Sequence, residues 1–266
     1  MEESKILVLA ERAGGAQLAL QRASILARHL DASIELFACD SEHAWAVTQR
    51  LSDPSANRVI ERCLASSARY LEALRGSVAA RDLHIGINVA CAASIAEGVT
   101  TCISELAPLL VVHGLAEGCC RDGRWELPPE LRQLLRRVSA PLLLTRGVPW
   151  APVPRIIVSE DLDFPDEAAR TKNVGIAERL CRQCYGRFIV WPGRVEEARS
   201  LSEFVRAAAA DMLIINVPPQ DQWEATRGRA LEAMLGAVTC DVLLMPSFAS
   251  AHGFVTPAVA FRTNSA

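Results

Sequence analysis

One stretch of this chain occurs twice, and that repetition limits the fold more than any other feature. From Pro108 the sequence runs through Leu109-Leu110-Val111-Val112, a loop with Gly114, Gly118 and Gly123, and Leu127-Pro128-Pro129-Glu130-Leu131. A helical segment to Val138 then leads into Pro141-Leu142-Leu143-Leu144. Much later, Met212-Leu213-Ile214-Ile215 passes through a loop and a helical segment (Ala225 to Val238) into Val242-Leu243-Leu244-Met245. Two strand–loop–helix–strand units in one order predict a duplicated module. In each, the loop after the first strand is where a parallel sheet holds a ligand.

The rest of the chain extends both units in the same alternation. Ile6–Ala10 is a short apolar run, as in a strand buried on both faces. A helical pattern follows, with Leu18, Ala19, Arg22, Ile25, Leu26 and Leu30 at three-to-four spacing. Ile34–Cys39 reads as the second strand, a polar segment with Trp45 comes next, and a long helix spans about Ala56 to Arg81. His84–Ala90 alternates like a strand, and Ser94-Ile95-Ala96-Glu97 has capping-box spacing at the start of the next helix. Strand and helix in strict alternation mean a parallel sheet wrapped by helices.

Pro149, Pro152 and Pro154 then interrupt the pattern as a stiff linker, residues 148–154. Arg155-Ile156-Ile157-Val158-Ser159 restarts it, followed by a helix from about Asp166 to Cys184, a strand at Phe188–Trp191 and a helix from about Val195 to Ala209. The expected fold is α/β, two tandem open parallel-sheet domains at 1–147 and 155–248. The second is short by about one helix–strand pair. Residues 249–266 lack periodicity and read as a tail.

Composition excludes several functions. Half the 266 residues are hydrophobic and 22% are charged, a globular balance. Net charge is −3, so no long-range field draws nucleic acid or anionic lipid. Arg132, Arg136 and Arg137 read as a solvated helix face. No apolar run reaches the roughly 20 residues of a membrane span. The polar start Met1-Glu2-Glu3-Ser4-Lys5 differs from a signal peptide, so a cytoplasmic protein is expected. The nine cysteines are mostly buried thiols by pattern. Cys181-Arg182-Gln183-Cys184 has CxxC spacing but ends a helix, and Cys119-Cys120 sits in the glycine loop. No second pair completes a tetrahedral zinc set, so no metal is assigned. His113 follows the fourth strand at a ligand-facing position and is read as structural, since no nucleophile elbow or Walker sequence accompanies it.

Taken together, Ile6-Leu7-Val8-Leu9-Ala10-Glu11, Ala27-Arg28-His29-Leu30, Pro108–Val112 with its glycine loop, and Val138-Ser139-Ala140-Pro141 resemble the universal stress protein (UspA-like) family in its tandem form. Ile156–Asp161, Ala210–Ile215 and Thr239–Leu244 are the second-half counterparts. The resemblance implies a Rossmann-like, UspA-type fold. In ATP-binding members it also implies an acidic residue ending the first strand, and a glycine loop whose final Gly-Ser/Thr opens a helix toward the phosphates. Here Pro128-Pro129 stand where Gly-Ser is expected, and Gly228-Arg229 in the second half. Glu11, Gly114, Gly118, Asp161 and Gly228 are what remains of a nucleotide site.

The resulting expectation is a non-catalytic stress-response protein with degenerate nucleotide loops. It has no cofactor and acts through an unidentified protein partner. One alternative is ATP or AMP binding at one retained site; another is a redox or metal sensor built on cysteines. The resemblance also implies dimer-like pairing of Leu142–Thr145 with Val242–Met245 inside one chain, a pseudo-dimer of the two halves, with a homodimer as a further option.

Overall fold

The computed structural model describes residues 4–11, 15–49, 54–78, 82–115, 120–121, 124–125, 127–159, 175, 178–191, 198–217, 226–246 and 259–261. Its contacts divide the chain into two units. One holds residues 1–112, 129–138 and 253–266, and the other residues 113–128 and 139–252.

The first unit is built on β1 (Lys5–Leu9), whose Ile6, Leu7 and Val8 are fully buried, as a strand covered on both faces requires. The next elements are α1 (Leu18–Leu30), β2 (Ser33–Asp40), α2 (Ala44–Gln49) and α3 (Pro54–Ser77). After them come β3 (Ile85–Cys91), α4 (Ile95–Leu106) and β4 (Leu110–Gly114), which the unit shares through Val112. β1, β2 and β3 are parallel neighbours, with Lys5 opposite Ser33 and Asp40 opposite Cys91, and β4 lies on the other side of β1. Strand order therefore reverses between β1 and β4, the switch point where open α/β sheets bind ligands.

The start of α4 follows its sequence signal. Ser94 caps α4, its hydroxyl accepting the Glu97 N–H at 3.2 Å as the capping box predicts. α4 lies close over β2 at Gly98, where an added Cβ would stand 2.6 Å from Cys39 Sγ. The six-residue α2 was not expected; a helix that short, in a polar segment, leaves no periodicity to read. α3 begins at Pro54, favourable in a first turn, and ends at Ser77 instead of reaching Arg81. The hairpin β5 (Cys120–Arg121) and β6 (Arg124–Trp125) is paired antiparallel in the glycine loop. α5 (Pro129–Arg137) turns Leu131, Leu134 and Leu135 inward.

The second unit contains β7 (Leu142–Thr145), β8 (Arg155–Ser159) and helical residues 178–183. These are followed by β9 (Arg187–Trp191), α6 (Ala198–Ala207), β10 (Met212–Asn216), α7 (Thr226–Ala237) and β11 (Asp241–Met245). β9, β8, β10 and β11 are parallel in that order, and β7 joins β11 antiparallel, with Leu143 opposite Leu243. The expected partner segments Leu142–Thr145 and Val242–Met245 are thus adjacent strands. In the tail, β12 (Val259–Phe261) pairs antiparallel with β3. Three residues joined through main-chain hydrogen bonds need no hydropathy pattern, and the tail sequence showed none.

Details recur between the two halves. α7 buries Leu231, Met234 and Leu235, matching the inward residues of α5, and Val138 and Val238 are both buried past the helix ends. Leu115 N–H donates to Thr145 O at 2.8 Å, and Val217 N–H to Met245 O at 2.8 Å. Asp31 and Tyr185, each just ahead of a strand, have φ of 49° and 51°; Ala107 and Ala209 have 44° and 47°. Left-handed non-glycine residues are uncommon. Gly186 meets a spatial limit beside Tyr185: a Cβ there would lie 2.9 Å from Pro154 O.

The linker is held by two aspartates. Asp241, 1% exposed, accepts the Arg146 N–H at 2.9 Å and the Trp150 indole N–H at 3.0 Å. The Arg146 guanidinium also donates to Leu235 O. Asp211 accepts the Ala151 and Arg155 N–H groups, both at 2.8 Å.

Candidate functional site

At the C-terminal end of β1, Glu11 turns its carboxylate onto the start of α1. Oε2 accepts the Gln17 N–H at 2.9 Å and Oε1 the Ala19 N–H at 3.2 Å. Gln17 sits in the left-handed region (φ 52°) and makes no side-chain cap, so Glu11 supplies the acceptors that a local serine or aspartate ordinarily would. The Tyr70 hydroxyl donates to Glu11 O at 2.5 Å, and Gln17 Nε2 donates to that hydroxyl at 2.9 Å. Both carboxylate oxygens are engaged with main-chain donors, and their negative charge occupies the positive end of α1.

The helix expected to face phosphates begins at Pro129, directly after Pro128. Neither ring nitrogen carries a hydrogen, and Glu130 adds negative charge to the first turn. An anion there would meet fewer donors and a repelling carboxylate. Gly114 is buried as the last residue of β4, and Gly228 is buried in the first turn of α7. Gly118 and Asp161 lie outside the described residues, as does Cys119. Arg132 and Arg136 are half-buried and engaged with other protein groups, while Arg137 is exposed.

His113 is the penultimate residue of β4 and is half-buried, with Nδ1 closed off and unpartnered among the described residues. Burial pulls its imidazole down to about 4. The unfolded chain therefore takes up the proton first as pH falls. Stability from this group is intact above about pH 6.5 and is lost on the way down to pH 4. Between pH 7 and 4.5 the wild-type protein is expected to lose about 2–3 kcal/mol that a His113→Gln variant keeps. Urea denaturation of both across that range tests this; parallel pH profiles would disprove it.

The CxxC pair is buried. Cys181 is 7% and Cys184 3% exposed, and neither is in a disulfide. Burial, then the neighbouring Cys184, pushes the Cys181 thiol up to about 12, which leaves little thiolate at neutral pH.

A different group of side chains meets at the C-terminal end of β2. Asp40, the last residue of that strand, accepts the His43 N–H through Oδ1 at 3.0 Å. The His43 ring places Nδ1 3.1 Å from Oδ1 and 3.2 Å from Oδ2. Cys63, on α3, brings its Sγ to 3.3 Å from the same Nδ1. One donor atom from each of the three lies within 4.8 Å of the others. Burial opposes the charged form of Asp40, but the His43 N–H, the His43 ring and Cys63 outweigh it and hold the carboxyl below its usual range. Burial, then the Asp40 charge, pushes the Cys63 thiol up to about 11.

This arrangement cannot act as a nucleophilic relay, which needs the thiol on one ring nitrogen and the carboxylate on the other. Here both address Nδ1. The sequence reading missed the group because Cys63 lies on a different element, so spacing could not reveal it. The one local signal was Asp40-x-x-His43 at a strand end.

No protein-family model matches the chain, and no curated protein matches it significantly in sequence. Solved structures match it in fold. A protein of unknown function from Pseudomonas aeruginosa PAO1 is 16% identical, covers 92% of this chain with 93% of its own, and has a TM-score of 0.65. A protein of P. aeruginosa UCBPP-PA14, provisionally assigned as a universal stress protein, is 16% identical over 92% of this chain and 94% of its own, TM-score 0.64. A universal stress protein from Archaeoglobus fulgidus DSM 4304 is 8% identical over 93% of this chain and 100% of its own, TM-score 0.57. The shared feature is an α/β, mostly parallel, Rossmann-like architecture. Among the described residues, no helix is long and apolar enough to cross a membrane.

Proposed function

We propose that this chain is a tandem universal-stress-protein-like protein, non-catalytic, acting in stress response by binding another protein. Its two halves are read as copies of one module. The second copy lacks the third strand: β11, β10, β8 and β9 follow the order β7, β4, β1 and β2, and no described strand stands where β3 would. β7 and β11 are then the fifth strands of the two copies, joined as a pseudo-dimer within the chain.

The observation that carries the reading is Pro128-Pro129 at the head of α5. A nucleotide's phosphates are held by main-chain N–H groups at a helix start, and this start has lost two of them. Glu11 is committed to capping α1. A second consequence of the missing strand favours protein binding. Beside and on β9 the described residues leave Tyr185 79%, Phe188 46% and Val190 41% exposed, an apolar strip along a strand with one described neighbour.

Calorimetric titration with ATP or AMP and magnesium is the test. The expected result is no saturable heat with ligand up to about 1 mM, a ceiling of roughly 4 kcal/mol in binding free energy. Saturable binding at micromolar ligand would overturn the reading and restore an adenylate site.

A further inference from the structure

We propose that Asp40, His43 and Cys63 form a binding site for a divalent cation of zinc type, with three protein ligands and one open position.

Four features of the arrangement support it. The donor set is one carboxylate oxygen, one imidazole nitrogen and one sulfur, the ligands zinc takes most often. The distances fit as well. Nitrogen and oxygen ligands about 2.0 Å from tetrahedral zinc, and sulfur at about 2.3 Å, stand roughly 3.3–3.6 Å from one another. His43 Nδ1 is already 3.1 Å from Asp40 Oδ1 and 3.3 Å from Cys63 Sγ, and all three donor atoms lie within 4.8 Å of one another, so small side-chain shifts admit the ion. Convergence matters more than proximity: the carboxylate is approached by both the His43 ring and the Cys63 thiol, so an oxygen, a nitrogen and a sulfur face one point. A cation between the three atoms satisfies all of them at once. Finally, the site is reachable. The side chains of His43 and Asp40 are 42% and 20% exposed.

The elements hold the donors without needing the ion. Asp40 ends β2 and His43 is tied back to it through its own N–H, so the i, i+3 spacing is set before a metal arrives. Cys63 is carried by a 24-residue helix that packs on the same strands. Binding releases the thiol hydrogen to buffer, and His43 ligates as the neutral imidazole with its ring hydrogen on Nε2. Cys181 and Cys184 play no part, being held on the helical residues 178–183 and the turn after them.

The experiment uses the full chain, stripped with a chelator and titrated with zinc chloride against a chromogenic competitor. One equivalent is expected to bind. Replacing even outer-shell partners of metal ligands costs 10–100-fold in affinity, so Cys63→Ser, His43→Ala and Asp40→Asn are each expected to cost more than about 100-fold. A Cys181→Ser/Cys184→Ser double variant is expected to bind as wild type. Cobalt(II) loading of the unaltered protein gives a readout independent of variant folding: a thiolate-to-cobalt charge-transfer band with tetrahedral ligand-field bands. No zinc binding, a cobalt spectrum without thiolate character, or loss of binding in the Cys181/Cys184 variant instead would each overturn the proposal.

Discussion

Replacing Asp241 with alanine is expected to cost about 4 kcal/mol of folding stability. The carboxylate is 1% exposed and accepts the Arg146 main-chain N–H and the Trp150 indole N–H. Hydrogen bonds to a charged group contribute roughly 1.5–3 kcal/mol each, and donors left without an acceptor carry their desolvation cost besides. The loss is local to the chain between β7 and β8, because both donors belong to it. Asp241→Ala should therefore also expose residues 146–154 to proteolysis, while Asp241→Asn, which keeps one acceptor oxygen, should lose about half as much. Urea denaturation and limited proteolysis of the three proteins check this. A loss below about 0.5 kcal/mol for alanine, a size typical of a surface substitution, would show that the carboxylate does not organise the linker.

Leucine-to-alanine changes at the crossing of β7 and β11 form the second large effect. Leu143 is 1% and Leu243 0% exposed, and the two are direct partners in the antiparallel register. Each truncation alone is expected to cost about 3 kcal/mol through lost burial and the cavity left behind. Opposite residues in an antiparallel pair have side chains close enough to share that cavity. The double variant should then lose about 1 kcal/mol less than the sum of the singles. An osmolyte such as sucrose keeps it folded enough to measure. Additivity within about 0.3 kcal/mol would show that the two leucines do not share a cavity.

The elements that were legible from sequence share one property: their signal is written into consecutive residues of the chain. β1, β4 and β11 are short apolar runs, and Ser94 with Glu97 is a cap written into four consecutive residues. Pro128-Pro129 belongs to the same class, because a ring nitrogen lacks its hydrogen in any fold. What failed to register in the sequence lacked a period or lay far apart. α2 is too short for periodicity, and β12 exists only through its ladder with β3. Glu11 was legible as the acidic residue that ends a strand. Its capping role depends on where Gln17 and Ala19 turn, and Tyr70 reaches it from α3.

Residue pattern alone thus determined the alternation of strands and helices and the absence of an N–H at Pro128 and Pro129, at the head of α5. Each follows from local stereochemistry and the side-chain period. Only the tertiary structure decided that β9 adjoins β8 with no described strand beyond it, that Asp241 and Asp211 grip the linker, and that Cys63 meets Asp40 and His43. Those outcomes depend on which distant segments adjoin, and burial in a shared core sets that, not the order of residues along any one segment.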